Sequence, residues 1–561
     1  MPIQSRWSVE VPQVSLPTYL FESASKPLNN EKPVLIESRA PDTHVLTYAS
    51  YRLWCQRFAA GLRANGFQKG DRVILFAGNS IYFPVVIVGT IMAGGIFTGA
   101  NPSYTARELA YQVTDSGAKF LITSEASTET AAAAAKLANL QESSVFVQDD
   151  GFATFEGRGQ GVANMRHWTQ LVASEDVGRR FQWEDLTPEE AATTTATLNY
   201  SSGTTGVPKG VEITHKNYIA NSIQMELQAR LQKDWDKSLP RARWLCFLPM
   251  YHAMAQSIFG IMALKMQIPV YMMPKFDFVK MLENVQKFQI TYLTLVPPVV
   301  VAMAKSPLTR KYDLSSVEKV GSGAAPLGRE IAAELEKLWP PGKINVKQGW
   351  GMSELTCSAM GWHPDEYSDS FSVGNLNANC QAMLVDEEGK EVKQGERGEI
   401  LIKAPSVMKG YWKRPEATAE TMTADGWLKT GDIAYYDERE RFYIVDRKKE
   451  LIKVKGNQVA PAELEALLLD HPAIVDVAVI GVTIQDEEMP RAYVALGEGK
   501  QASEREIQKW MEQYVTRHKY LTGGVKFVNT IPKNASGKIL RKALRHEAKA
   551  EIEKDTIRAR L

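Results

Sequence analysis

Three observations predict an α/β protein with a large N-terminal domain of parallel-rich sheets layered with helices and a small α+β C-terminal domain. The chain has 561 residues, 44% hydrophobic and 23% charged, enough for two or more domains and a large core. Short β-branched runs alternate with helix-length segments, the pattern of parallel strands joined by crossover helices. After Asp446 the composition turns dense in cations, RKKELIKVK at 447–455, and the remaining stretch of about 110 residues is of ordinary domain size. The expected division is 1–446 and 447–561.

A helix is expected over 51–65, before a strand RVILF at 72–76. Residues 81–100 are uncharged and about long enough to cross a bilayer. Pro84, Gly94 and Gly95 interrupt them, however, and they follow a strand and a turn at Gly78 and Asn79, so a core helix running into a buried strand is predicted. A strand FLIT at 120–123 and a helix over 128–140, which takes in the alanine run 131–135, continue the alternation. IPVY at 268–271, ITYLTL at 290–295 and Lys319-Val320 are later strands. In the C-terminal part a helix is expected over 460–469, strands over 474–480 and 492–496, and a helix opened by Ser503 with Glu506 at capping-box spacing.

Lysine plus arginine number 66 against 65 aspartate plus glutamate, so no cationic excess is available to hold phosphate backbones or an anionic bilayer. Nucleic acid is not expected as a partner. The opening residues, MPIQSRWSVEVPQ, lack the basic segment and apolar run of a secretory signal. Cys55, Cys246, Cys357 and Cys380 stand far apart, without the short paired spacing of a zinc site or a redox dithiol, and are read as reduced thiols inside the cell.

The stretch richest in chemistry is YSSGTTGVPKGV at 200–211. Glycines permit close backbone approach, hydroxyls and N–H groups can surround phosphate oxygens, and Lys209 supplies positive charge. Composition alone leaves two readings, a phosphate cradle or a flexible Ser/Thr/Gly loop. It is not a Walker A loop, whose Gly-x-x-x-x-Gly-Lys-Ser/Thr order is absent.

The same stretch resembles, nearly residue for residue, the signature loop of the adenylate-forming superfamily of acyl-CoA synthetases, 4-coumarate-CoA ligases, beetle luciferases and nonribosomal adenylation domains. Further motifs follow in that superfamily's order: LPMYH at 248–252, GSGAAP at 321–326, QGWGMSE at 348–354, KTGD at 429–432, IVDR at 444–447 and PKNASGK at 532–538. The resemblance spans about 46–542 and is strongest to 4-coumarate-CoA-ligase-like acyl-CoA synthetases. It implies that a carboxylate attacks the α-phosphate of ATP to give an acyl-adenylate and pyrophosphate, and that a thiol then displaces AMP. Both steps concentrate anionic charge, for which cations and oriented donors are suited.

Carried over motif by motif, the resemblance assigns ATP binding to Ser201, Ser202, Gly203, Thr204, Thr205 and Lys209. Ser322 to Pro326, with Gly323, Ala324 and Ala325, resemble the loop along adenine, together with Gln348, Gly349, Trp350 and Ser353. Glu354 resembles the magnesium-ligating glutamate, aided by Thr204, since a hard divalent cation takes carboxylate oxygen. Asp432 resembles the acceptor of the ribose hydroxyls and Arg447 its cationic partner. Trp350 replaces a commoner tyrosine; an indole can stack on adenine but loses the phenol's hydrogen-bonding option. His252 resembles the histidine at the mouth of the acyl pocket, and Lys538 the lysine that reaches the α-phosphate and carboxylate oxygens.

The resemblance also implies a mobile C-terminal domain, hinged at Lys448, that rotates between the half-reactions. In its thioester-forming orientation Lys449, Lys453 and Gln458 resemble catalytic residues, and Lys275, Lys455 and Gly456 resemble contacts to CoA. The implied cofactors and co-substrates are ATP, Mg2+ and CoA. Met254, Ser257, His252, Ala324 and Gly349 are assigned to the acid. Ala253, Met254, Ser257, Cys357 and Ser358 differ from the 4-coumarate pocket, and Asn457 replaces a frequent aromatic, so phenylacetate-like, benzoate-like and medium- or long-chain aliphatic acids all stay open. No carrier domain follows Lys538, which makes free CoA the expected thiol; a separate carrier protein, or oxidation of the adenylate as in luciferases, are the alternatives. The ending Ala559-Arg560-Leu561 resembles a peroxisomal targeting tripeptide, which implies an import receptor as partner and a peroxisomal rather than cytoplasmic location. Removal of those three residues from a tagged protein is expected to disperse a punctate peroxisomal signal, and an unchanged pattern would sink the assignment.

Overall fold

The computed structural model describes residues 2–23, 28–148, 165–201, 208–454, 457–484, 487–534 and 537–560, of which 553–560 are described as backbone only. Three large sheets build the N-terminal part, with a two-stranded one, Met360–Gly361 and Asn375–Leu376, beside them. In the eight-stranded sheet, Thr195–Ser201, Ile96–Gly99, Arg72–Phe76, Phe120–Ser124, Val145–Gln148 and Arg166–His167 run parallel, and Lys209–Thr214 and Gly410–Tyr411 add an antiparallel edge. The seven-stranded sheet places Lys347–Gln348, Lys319–Ser322, Tyr292–Leu295, Trp244–Cys246, Val270–Met272 and Pro33–Glu37 in parallel, with Val45–Thr47 antiparallel at its edge.

Helix Phe83–Met92 is buried at every position, as a helix apolar all round must be when it lies inside a protein. Pro84 starts it, and Gly94, at φ +77°, turns the chain into strand Ile96–Gly99. A Cβ on Gly95 would come within 2.3 Å of the Phe67 ring, so glycine is needed there. The expected core helix and buried strand are both present, and among the described residues no helix is long and apolar enough to cross a membrane.

The third sheet is antiparallel throughout: Ile3–Gln4, Gln381–Val385, Gly398–Lys403, Leu428–Tyr436 and Phe442–Arg447. Nothing in the sequence pattern disclosed it. Its long strand Leu428–Tyr436 alternates buried with less buried positions, so it carries no continuous apolar run. The strand ends with Arg447 opposite Asp432, and the Lys448 N–H then donates to Gly431 O at 2.8 Å.

Beyond it, Ile452–Val454 pairs with Asn457–Val459, and Ile474–Ile484, Glu487–Leu496 and Val525–Phe527 form a three-stranded sheet carrying helices Pro461–Leu469, Glu504–Glu512 and Arg541–Arg560. Ser503 and Glu506 close the expected capping box, worth about 1 kcal/mol. This part has its own core around Leu464, Val477, Val494 and Ile507. It docks on the large part where Lys305 Nζ donates to Ile474 O at 2.7 Å and Leu469 O at 3.0 Å.

Candidate functional site

A cavity of about 2010 Å³ lies where the strands of the seven-stranded sheet and strand Thr195–Ser201 end, walled on its far side by the small domain. Carboxyl ends of parallel strands are where open α/β sheets place ligands. Ser201, Lys209, His252, Met254, Gly323, Ala324, Gln348, Gly349, Trp350, Ser353, Glu354, Arg447 and Lys538 all line it. Residues spread from Ser201 to Lys538, expected to act together, therefore share one space.

Strand pairing sets Ser201 opposite Lys209. Ser202, Gly203, Thr204 and Thr205 lie outside the described residues, as do Lys455, Gly456 and Leu561. Lys209 Nζ sits 4.9 Å from the ring centre of Tyr411, whose hydroxyl donates to Glu354 Oε1 at 2.9 Å; Ser201 Oγ reaches the same oxygen at 3.4 Å. Among the described residues Glu354 Oε2 carries no hydrogen bond. Tyr411 was not foreseen; the only signal for it was its place beside Gly410, on an edge strand whose partner, Lys209–Thr214, begins at the signature lysine.

Ser322 ends its strand, and residues 323–326 leave it with Ala324 at φ +71°, a left-handed conformation that costs a non-glycine residue energy. The Gln348 side chain holds this loop, accepting from Leu327 N at 2.8 Å and donating to Leu327 O at 2.9 Å. Its amide is thereby committed to the backbone, and it acts on a nucleotide through the loop it positions. Ala325 and Pro326 stand on the loop without lining the cavity.

The indole of Trp350 corrects the expectation that replacing tyrosine forfeits a hydrogen bond. Its Nε1 donates to Asp432 Oδ2 at 2.9 Å, across 82 residues of sequence. Arg447 Nε stands 3.4 Å from the other oxygen, Oδ1, because Asp432 and Arg447 face each other in the antiparallel pair. Asp432 is only 5% exposed and lies behind the indole rather than on the cavity wall.

The Lys538 N–H donates to Asn534 Oδ1 at 2.9 Å. Gly537, at φ +81°, lies so close to Pro298 that a Cβ would sit 3.1 Å from the proline ring. Burial pulls the Lys538 ammonium down to about 8, with the Arg447 charge adding to the fall; Asp432 opposes it, Lys449 adds a further push down and Glu354 opposes. Lys538 is thus electrostatically within reach of Asp432, Arg447 and Glu354. Lys449 is exposed on the next turn, with its ammonium lowered by partial burial.

His252 borders the acyl side. Burial lowers its imidazole to about 4, so at neutral pH it is an uncharged hydrogen-bonding group. Met254 lines the cavity, its sulfur 3.2 Å from where a Gly323 Cβ would stand. Ser257 is 2% exposed in a π-helical segment, Gln256–Met262, beside the Cys357 thiol, which burial pushes up to about 12. Ser257 therefore sits behind the wall, and the expectation that it touches the acid is not met by its position.

Of the residues expected at the thioester step, Lys275, Lys449, Lys453 and Gln458 do not line the cavity. Lys453 and Gln458 are cross-strand partners on an exposed hairpin, where Lys453 N donates to Glu488 and Gln458 Nε2 donates to Glu387 at 3.2 Å. Lys275 is exposed just after strand Val270–Met272. No cluster of three or more metal-ligating side chains exists among the described residues.

Sheet ends forming one cavity, a buried carboxylate paired with arginine, and a lysine delivered by a separate small domain define an adenylate-forming enzyme. The chain belongs to the AMP-binding enzyme family: residues 21–412 match that family and residues 463–538 match the AMP-binding enzyme C-terminal domain. It is 35% identical to the phenylacetyl-CoA ligase epaB of Aspergillus niger over 97% of this chain and 98% of that protein. It is 36% identical to 4-coumarate-CoA ligase 1 of Narcissus pseudonarcissus over 96% and 94%. Among solved structures, ATP-bound MatB from Rhodopseudomonas palustris aligns with a TM-score of 0.79 at 28% identity, covering 95% of this chain and 98% of that one.

Proposed function

We propose that this protein is an AMP-forming acid–CoA ligase that joins a carboxylic acid to the α-phosphate of ATP, releases pyrophosphate, and passes the acyl group to the thiol of CoA. The observation that carries the reading is that Lys538, Arg447 and Glu354 line one cavity with room for both a nucleotide and an acid. Lys538 and Arg447 place positive charge where negative charge builds as the carboxylate attacks phosphorus. Neutral His252 orients the carboxylate without neutralising it. Asp432 would accept ribose hydroxyls through Oδ1, which carries no hydrogen bond among the described residues, once the Trp350 indole that covers it shifts, and the loop at 323–326 lies along the base. Glu354, its Oε2 open, would hold a magnesium ion, which supplies charge neutralisation on the phosphates.

Pyrophosphate release with ATP, Mg2+ and CoA, measured over cinnamic, phenylacetic, benzoic and aliphatic acids with mass detection of the thioester, tests the reading. A CoA thioester from any acid supports it; pyrophosphate turnover without thioester moves the acceptor to a carrier protein.

The orientation described is the one suited to adenylation, with Lys453 and Gln458 outside the site. A rotation of the small domain about Lys448 would exchange them for Lys538. Lys453→Ala is therefore expected to slow thioester formation by about tenfold or more, the range of one catalytic donor or less, while acyl-adenylate formation is unchanged in single-turnover assays. Equal loss in both half-reactions would count against the rotation.

A further inference from the structure

We propose that the acid this enzyme activates carries a second anionic group at its far end, a carboxylate received between Lys319 and Lys347 on the floor of the cavity. This rests on the ligase reading and names the substrate class of the same site. Lys319 opens strand Lys319–Ser322, and Ser322 marks the nucleotide end, so the lysine lies about 10 Å deeper at roughly 3.3 Å per residue. Lys347 is the strand partner of Gly321, and Tyr292 that of Lys319. Since side chains two apart on a strand share a face, Lys319, Lys347 and the Tyr292 hydroxyl converge over Gly321. The hydroxyl lies 2.8 Å from where a Cβ at 321 would stand, so only glycine leaves this space open.

All three residues line the cavity, and the wall leading down to them is apolar, with Trp244, Ile258 and Met262. A hydrocarbon end would suit that wall and fail at its floor. Lys347 Nζ spends one of its three donors on Pro364 O, and Lys319 Nζ lies 5.7 Å from the ring centre of Trp235. Among the described residues neither ammonium has a carboxylate within 4 Å. The nearby acids are otherwise engaged: Glu318 pairs with Arg241 at 2.6 Å, Glu366 with Arg6 at 2.9 Å, and Asp365 accepts from Lys233 N at 3.1 Å. Asp234 has Arg241 at 4.0 Å.

Burial lowers both ammoniums, Lys347 to about 8 with the Lys319 charge adding to the fall, while Asp234, Glu318 and Asp365 act in the other direction on Lys319 and Asp365 and Glu366 on Lys347. Two desolvated like charges without a bonded counter-ion are costly to hold. An anion between them adds a directly bonded counter-ion to the more distant charges of Asp234, Glu318, Asp365 and Glu366, whereas an apolar tail adds none.

The test compares kcat/KM for CoA-thioester formation within matched pairs: suberic against octanoic, sebacic against decanoic, dodecanedioic against dodecanoic, and 4-carboxycinnamic against cinnamic acid. The wild-type enzyme is expected to prefer the acid with two carboxylates in at least one pair by about 10–100-fold, the range of one or two charge-assisted hydrogen bonds, expressed in KM. The double variant Lys319→Met, Lys347→Met keeps the aliphatic volume and should erase or invert that preference while turning over the monoacids, which shows that it is folded. Preference for the monoacid in every pair, or a diacid preference unchanged in the double variant, overturns the inference and leaves the ligase reading standing. Rescue of a monoacid by added inorganic phosphate would also overturn it, since the anion would then be a free ion. No thioester from these or the wider panel of acids removes the ligase reading itself.

Discussion

Lys538→Ala is expected to lower the pyrophosphate-forming half-reaction by on the order of 10²–10³-fold, the cost of deleting one transition-state donor from a preorganised site. The site's electrostatics strengthen this expectation. The ammonium is largely desolvated and crowded by Arg447 and Lys449, which is why it titrates near 8 rather than in the usual lysine range. It is charged below that pH and neutral above it, and the charged form is the one that meets the anion. The kcat/KM for adenylation should therefore fall as pH rises through about 8. Bound ATP adds negative charge, so the corresponding fall in kcat lies at higher pH. Lys538→Arg keeps the charge at any working pH and should move the alkaline limb of kcat/KM out of range even if its guanidinium fits poorly and lowers the plateau. A profile of Lys538→Arg with the wild-type alkaline limb would assign that titration to another group, and full adenylation by Lys538→Ala would remove the lysine from the reaction.

What could be read from the sequence follows from how local its signals are. Strand Arg72–Phe76 and the Ser503–Glu506 cap, each decided by contiguous residues, stand where expected, and helix Phe83–Met92 falls inside the 81–100 stretch read as a core helix and a buried strand. Strand Ile474–Ile484 runs four residues past its expected end because pairing with Glu487–Leu496 carries polar positions along. The antiparallel sheet ending at Arg447 escaped because its strands are short or alternate in burial. Within the site, the motif residues are local and were legible by resemblance. The bonds that set their chemistry are not local: Trp350 to Asp432, Tyr411 to Glu354, and Lys538 among charges some 90 and 180 residues away in the chain. Lysines in a short parallel strand, as at 319 and 347, are a local signal, but their meaning depends on Gly321 and Tyr292 sharing their face.

Asp432→Ala carries the second large effect. The carboxylate accepts from the Trp350 indole, it faces Arg447 across the sheet, and it opposes the mutual repulsion of Arg447, Lys449 and Lys538. Its removal deletes the ribose acceptor, frees the indole and leaves three cations without a shared counter-charge. Truncating one partner of a buried charged pair costs about 2–5 kcal/mol, so kcat/KM for ATP should fall on the order of 10²-fold or more. The loss belongs in the KM for ATP, with the KM for the acid little changed, because the acyl wall is formed by other residues. Trp350→Phe separates the two jobs of the indole. It retains an aromatic face for adenine but cannot donate to Oδ2, so it should release Asp432 and change the KM for ATP by less than tenfold, the size of one hydrogen bond to a charged group. Should Asp432→Ala raise the KM for the acid and spare that for ATP, the carboxylate would belong to the acid site, and the nucleotide would have to be anchored from the other wall of the cavity.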